Sequence, residues 1–341
     1  MLPYYYPDVP RIVRVAVASK TPASRQSFAS RYGFSYALDP SDLWTLDNID
    51  TVFVLGPNEL HYSLLQRSLE RKNVRYIYVE KPICVTREEE EALTQLAANW
   101  PEEKVIQTGF QFLQMSTVRK ALSLMREGDF GTPIHFHVRY LHSGYLESSY
   151  RNERRSRLKP SPVDGALVDL GSHALSLLVA FMGEDLEIVS ARQSGTFPDV
   201  PAGSDLCTTI LLNDRSSGAA GTLVASRISA GAGDLLELEV RYTGGSLRLS
   251  TERPDEIEIF TQDRGEWSRL DCGSDYLPIT KFPLRYAPSG WLRSLIHAHY
   301  LFFGGIDVCA IRSDLDHALA VQRMIRSAAE QLATTRANHS D

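Results

Sequence analysis

The sequence predicts a doubly wound α/β domain over residues 1–108, followed by an α+β domain with a large, mostly antiparallel sheet over residues 109–341. Three observations point there. The chain has 341 residues, above the ~250–300 at which a single hydrophobic core stops growing. Its first hundred residues alternate β-branched runs with helical patterns, which reads as βαβ units on a parallel sheet. Beyond residue 109, short strands follow one another through Gly, Asp and Ser turns, as antiparallel strands do.

Composition narrows the class. Hydrophobic residues make up 43% and charged residues 23%, a globular balance. A net charge of −6, with a single short basic cluster (Arg151, Arg154, Arg155, Arg157, Lys159), argues against nucleic-acid binding. No apolar run reaches the ~18 residues of a membrane span, and the start MLPYYYPDVPRIVR lacks the pattern of an export signal. The four cysteines (Cys84, Cys207, Cys272, Cys309) stand far apart without a CxxC pair, which suits a reducing compartment. The expectation is a soluble cytoplasmic protein with no nucleic-acid or membrane partner.

The elements follow in order. Val13–Ala18 is a β-branched run, with Thr21 as candidate N-cap and Pro22 at the first helical position. The helix through Phe28, Ala29 and Tyr32 closes near Gly33. Thr51–Leu55 is the next strand, broken by Gly56-Pro57-Asn58, after which Leu60, Leu64, Leu65 and Leu69 recur at helical spacing. Tyr76–Val79 stops at Glu80-Lys81-Pro82. Thr86 and Glu89 form a capping box for the helix carrying Leu93 and Leu96, and Lys104–Thr108 is a fourth strand. In such sheets ligands bind beyond the carboxyl ends of the strands, where Ser19-Lys20, Gly56-Pro57-Asn58 and Glu80-Lys81-Pro82 all stand.

In the second half, a helix over 116–127 precedes Ile134–Tyr140, which alternates at period two. Phe136, Val138 and Tyr140 fall on one face, and His135, His137 and Arg139 on the other. A helix around Leu167–Phe181 leads into strands through Leu270, and two helices end the chain: Trp291–Phe303, then Ser313–Leu332 capped by Ser313 and Asp316. Because helices can cover only one face of the sheet, its second face is expected to pair subunits into a homodimer or homotetramer.

Chemistry gathers at three places. Gly56-Pro57-Asn58-x-x-His61 and Glu80-Lys81-Pro82 mark adjacent strand tips. Asp164-Gly-Ala-Leu-Val-Asp169-Leu-Gly-Ser-His173 puts Asp169 and His173 four apart, on one helix face. Flanked by Leu167, Val168 and Leu170, that pair is expected to be partly buried, and buried polar groups need partners. His135, His137 and His142 read as packing residues, and no metal site is expected.

Together these residues resemble the glucose–fructose oxidoreductase / inositol dehydrogenase / rhizopine-catabolism (Gfo/Idh/MocA) family, from Val13 to Leu332. The resemblance implies a Rossmann-like first domain and a nicotinamide-dependent oxidoreductase acting on sugars, cyclic polyols or related small alcohols and ketones. Carried over by position, Lys81 would bind the substrate hydroxyl and help move its proton, Asp169 would hold a neighbouring hydroxyl, and His173 would be the acid/base. Pro57, Asn58, His61 and Glu80 would belong to the cofactor side. That assignment is chemically sound, because an imidazole can take the alcohol proton near neutral pH while an ammonium favours the alkoxide.

The chain departs from the family pattern in four ways. The first βα unit, with its Gly-x-Gly-x-x-Gly turn, is expected to be missing, since no glycine precedes Gly33 and Leu2–Tyr6 resembles the tail of the first helix. Gly56 stands where Thr or Ser is common, Val163-Asp164 replace two glycines, and Leu113 stands where Arg is frequent. At the ribose end, Ser19-Lys20 with Arg25 replace the usual acidic residue. A hydroxyl and cations suit a 2′-phosphate, so the expected cofactor is NADP rather than NAD; the other reading of these residues is a solvated basic helix start. The alternative to an enzyme is an inactive family member serving as a binding or regulatory protein.

Overall fold

The computed structural model describes residues 2–6, 9, 11–128, 130–161, 164–273, 276, 290–307 and 310–337; Val163 and Cys309 lie outside them. A short helix α1 (Leu2–Tyr5) precedes β1 (Ala16–Ala18), α2 (Pro22–Tyr32) and β2 (Tyr36–Leu38). Pro22 takes the first turn as expected, but the Thr21 side chain makes no capping bond. Then come β3 (Thr51–Val54), α3 (His61–Leu69), β4 (Tyr76–Val79), α4 (Arg87–Ala97) and β5 (Val105–Thr108). The Thr86–Glu89 capping box is formed in both directions.

All the strand pairs of this half are parallel, but they fall into two sheets, β1–β2 and β3–β4–β5. The register Val54↔Val79 and Val79↔Thr108 brings the carboxyl ends of β3, β4 and β5 level. Gly56, Lys81 and Gly109 therefore start from one line. Val52, Val54, Ile77 and Val79 point into the core with Leu65 and Leu93.

The second half opens with α5 (Ser116–Glu127), β6 (Pro133–His142) and α6 (Ser148–Glu153). A π-helical stretch, Leu167–Gly171, then runs into α7 (Ser172–Met182). The strands β7 (Leu186–Ser194), β8 (Cys207–Asp214), β9 (Ala220–Ser226), β10 (Gly233–Tyr242), β11 (Gly245–Ser250), β12 (Arg253–Thr261) and β13 (Glu266–Asp271) follow. With β6 they make one eight-stranded sheet in the order β13-β12-β11-β10-β6-β9-β8-β7, antiparallel except for β6 beside β9. Phe136, Val138 and Tyr140 are buried, as period-two alternation requires. The opposite face carries a ladder of ion pairs, Arg139–Glu237, Arg248–Glu239, Arg248–Glu258 and Arg269–Glu258.

The chain ends with α8 (Gly290–Phe302) and α9 (Leu315–Ala337). The cap of α9 differs from expectation. Asp314 Oδ1 accepts from the His317 N–H at 3.1 Å, whereas Ser313 Oγ donates to the Thr108 carbonyl at 2.7 Å and so ties this corner to β5. Helix α9 also reaches α4, where Arg326 forks onto Glu90 at 3.0 and 3.1 Å. One hydrophobic cluster runs from β3 through α7 and α9 to the sheet, so the two halves share a core beneath the site.

Candidate active site

The level strand tips build one wall. After β4 the chain turns through Glu80, Lys81 and Pro82. Glu80 N–H donates to the Val54 carbonyl at 2.9 Å, and its carboxylate accepts from the Tyr78 hydroxyl at 3.2 Å. Gly109 makes room for that carboxylate: a Cβ there would lie 2.7 Å from Glu80 Oε2. His61 is 1% exposed, with Nδ1 2.6 Å from the Pro82 carbonyl and Nε2 2.9 Å from the Gly56 carbonyl. It stitches the β3 tip to the β4 tip, and both its ring nitrogens are used. Pro57 is exposed and Asn58 half-buried at the helical entry to α3.

The second wall is the Asp164–His173 segment. Gly165 has φ +103°, and a Cβ there would meet Asp205 Cβ at 2.5 Å, so only glycine suits this turn. Asp205 then receives the incoming helix, accepting the Leu167 N–H on Oδ2 at 2.7 Å. The segment winds as a π-helix before α7 begins, a distortion common at functional sites.

Lys81 joins the two walls. Its Nζ donates to the Asp169 carbonyl at 2.6 Å and to Asp169 Oδ1 at 3.2 Å. The other carboxylate oxygen, Oδ2, accepts from Arg227 Nη2 at 2.9 Å. Burial alone would raise the Asp169 pKa, but the Lys81 and Arg227 charges overturn this and hold the carboxyl well below the usual range. His173 is 7% exposed and edged by the rings of Phe110, Phe112 and Tyr140. Burial, with the Lys81 charge behind it, pushes the imidazole well below 6.5 against the pull of Asp169. It is therefore neutral at pH 7, and its Nδ1 is buried without a hydrogen-bond partner. An orphaned imidazole nitrogen next to an anchored ammonium is what a substrate hydroxyl can complete.

Of the residues expected from sequence, Lys81, Asp169 and His173 converge. Ser19 and Lys20 sit at the separate tip of β1. Arg25 is turned away from solvent: its Nη1 donates to the Ser19 carbonyl at 2.7 Å and to Asp39 Oδ2 at 3.3 Å. Arg227 and Tyr145 were not foreseen. Arg227 follows β9 directly, and the only sequence signal was a cation ending an otherwise apolar alternating strand. Tyr145 lies under it, with the guanidinium carbon 4.9 Å from the ring centre.

Two family models match: the oxidoreductase family NAD-binding Rossmann fold over residues 3–109 and the GFO/IDH/MocA C-terminal domain over residues 118–248. The chain is 24% identical over 285 residues to levoglucosan dehydrogenase of Pseudarthrobacter phenanthrenivorans, covering 77% of this chain and 72% of that protein. Its fold is similar to the solved levoglucosan dehydrogenase with NADH and levoglucosan (TM-score 0.82, 22% identity, 98% of this chain and 91% of that one). It is also similar to an inositol dehydrogenase homolog of Azotobacter vinelandii with NAD+ (TM-score 0.80, 18% identity, 96% and 97%).

These neighbours correct one expectation. They hold NADH or NAD+, not the NADP inferred from Ser19, Lys20 and Arg25. Locally, Arg25 Nη1 is held by Asp39 and the Ser19 carbonyl, so a 2′-phosphate would have to compete with the Asp39 carboxylate for it. With both family matches and the shared fold in agreement, the chain belongs to the Gfo/Idh/MocA family, NAD(P)-dependent oxidoreductases acting on the CH–OH groups of sugar- and polyol-type substrates.

Proposed function

We propose that this chain interconverts a secondary alcohol of a sugar or cyclic polyol and its ketone, using NAD+ and NADH. The observation that carries this reading is the pairing of Lys81, fixed on Asp169, with a neutral His173 whose Nδ1 lacks a partner. The strand tips suit a nicotinamide cofactor: Leu55 is 62% exposed, offering an apolar platform beside Gly56, Pro57 and Asn58. Ser19 and Lys20 stand at the β1 tip. NAD+ bound along this edge supplies the hydride acceptor.

The chain's own residues do the rest. The Lys81 ammonium holds the reacting hydroxyl and stabilises the alkoxide that develops as its proton leaves. His173 accepts that proton as a neutral base and returns it in the reverse direction. Asp169 anchors Lys81 and, with lone pairs to spare on a carboxylate, accepts a hydrogen bond from a neighbouring hydroxyl. We also propose that the chain self-associates through the open face of the eight-stranded sheet, where Val189 and Leu211, on β7 and β8, remain about two-fifths exposed.

A second reading, a binding or regulatory protein without turnover, is favoured by one feature. The parallel strands form two sheets, so Ser19 and Lys20 are not held in register with Gly56 and Lys81. NADH absorbance, followed with a panel of anhydrosugars, inositols, aldoses and small ketones, separates the two. Turnover that is lost in Lys81→Ala and His173→Asn supports the enzyme. NAD+ binding with no turnover on any member of the panel supports the second reading.

A further inference from the structure

Arg227 is 1% exposed and the largest fully buried side chain among the described residues. Its main chain is clamped on both sides: its N–H donates to the Leu206 carbonyl at 2.8 Å, and its carbonyl accepts from the Tyr145 N–H at 3.1 Å. The two terminal nitrogens of its guanidinium are committed as well, while Nε is buried without a hydrogen-bond partner. Nη1 donates to the Arg157 carbonyl at 3.1 Å, while Nη2 donates to Asp169 Oδ2 at 2.9 Å and to Asp164 Oδ1 at 3.2 Å. Asp164 is itself pinned, its Oδ1 also accepting the Gly165 N–H at 2.7 Å. This is the position at which the sequence replaces an expected glycine with a carboxylate.

We propose that Arg227 is a positioning residue for the reaction: by bridging Asp164 to Asp169 it fixes the carboxylate on which Lys81 is mounted. The proposal rests on the oxidoreductase reading above and adds to it a brace contributed by the second domain. The geometry divides the work on Asp169. Oδ2 is taken by Arg227 and Oδ1 by Lys81, so the carboxylate plane is set from one side and presents Lys81 on the other. Around it stand two cations, Lys81 and Arg227, one further carboxylate, Asp164, the phenols of Tyr145 and Tyr140, and the imidazole of His173. Two charges of each sign balance, and Asp164 offsets the second cation that would otherwise compete with Lys81 for Asp169. The guanidinium is needed for its shape. One planar fork serves a carbonyl and two carboxylates, which an ammonium on a flexible stem cannot do from the same place.

The test compares Arg227→Gln, Arg227→Lys and Asp164→Asn with the unaltered chain on its best substrate from the panel, and follows urea unfolding from pH 7 to pH 3. In Arg227→Gln, kcat should fall about 10- to 100-fold with KM changed less than about threefold, because an interaction that sets transition-state geometry is lost. Arg227→Lys should restore charge without geometry and recover less than half of kcat. Asp164→Asn, the milder variant in case the arginine variants fold poorly, should cost roughly two- to fivefold.

The unfolding arm needs no turnover and so stands apart from the enzyme reading. The destabilisation by Arg227→Gln should hold from pH 7 down to about 4 and begin to shrink only below that, as the folded-state carboxylate, held well below the usual range, starts to protonate, and it should be much smaller in an Asp169→Asn background. A chain that is inactive on every substrate, yet shows this coupling, removes the enzyme reading and keeps the Arg227–Asp169 brace. Equal destabilisation in the Asp169→Asn background, or a folded Arg227→Gln protein with unchanged kcat, overturns the proposal.

Discussion

Lys81 and Asp169 lie 88 residues apart in sequence and are joined twice, from Nζ to the main-chain carbonyl at 2.6 Å and to Oδ1 at 3.2 Å. The carbonyl contact ties the ammonium to the π-helical turn itself, and the Oδ1 contact, on a carboxylate held from its other side by Arg227, sets its direction. Removing Lys81 should therefore lower kcat by about 10²- to 10⁴-fold, the range of a lost acid–base or electrostatic group. The Kd for NAD+ should move little. Comparing steady-state kinetics with a fluorescence titration of NADH checks both parts, and a variant retaining more than a tenth of kcat would remove Lys81 from the chemistry.

His173 makes the pH dependence specific. Burial lowers its pKa well below 6.5, so the base form needed for alcohol oxidation persists as pH falls through 6.5. The acid limb of kcat/KM should accordingly lie below pH 6.5, with activity lost only as pH drops past the lowered value. His173→Asn should abolish that limb along with most turnover. A limb at or above the ordinary histidine value would show that another group governs the step.

His61 was expected on the cofactor side, but its buried ring spans the Pro82 and Gly56 carbonyls. His61→Ala opens a cavity and removes the ring's hydrogen bond at the strand tips, which should cost about 2–4 kcal/mol of stability. Chemical denaturation would measure it. Loss of NAD+ affinity without loss of stability would return His61 to direct cofactor contact.

Cofactor choice follows from Arg25. With Arg25 Nη1 on Asp39 and the Ser19 carbonyl, NAD+ should bind at least about tenfold more tightly than NADP+, since the extra phosphate meets the Asp39 carboxylate there. Arg25→Ala should leave that ratio within about threefold. Parallel isothermal titrations of both nucleotides decide it.

Acid stability has a separate source in His317, half-buried on α9 with Nε2 2.7 Å from Ser176 Oγ. Burial pushes it down to about 4. Between that value and 6.5 the unfolded chain binds the proton and the folded chain does not, so stability rises with pH across this window and is lost as pH falls through it. His317→Gln should flatten the stability profile between pH 6.5 and 4, by up to about 3 kcal/mol at the acid end. An unchanged slope in urea titrations would place the acid sensitivity elsewhere.

Much of this protein was legible in one dimension. Local patterns located β1, β3, β4 and β5, though not β2 (Tyr36–Leu38), together with the capping box at Thr86 and the alternation of Phe136, Val138 and Tyr140, because those features depend on neighbours within a few residues. The spacing of Glu80-Lys81-Pro82 and the Asp169–His173 segment pointed to residues that the structure brings together, since the carboxyl ends of parallel strands are where the fold itself places ligands.

What the tertiary structure alone decided was which polar groups meet across long stretches of chain. Arg227 reaches Asp164 and Asp169 across 63 and 58 residues, and Ser313 reaches Thr108 across 205. Asp39 claims Arg25 from the neighbouring strand tip, and His61 turns inward to two carbonyls. Apart from His61 with Gly56, none of these pairings has a period or a local spacing. A side chain's partner is chosen by the packing of elements that are distant in sequence, and a buried charge takes whichever opposite charge that packing brings within reach.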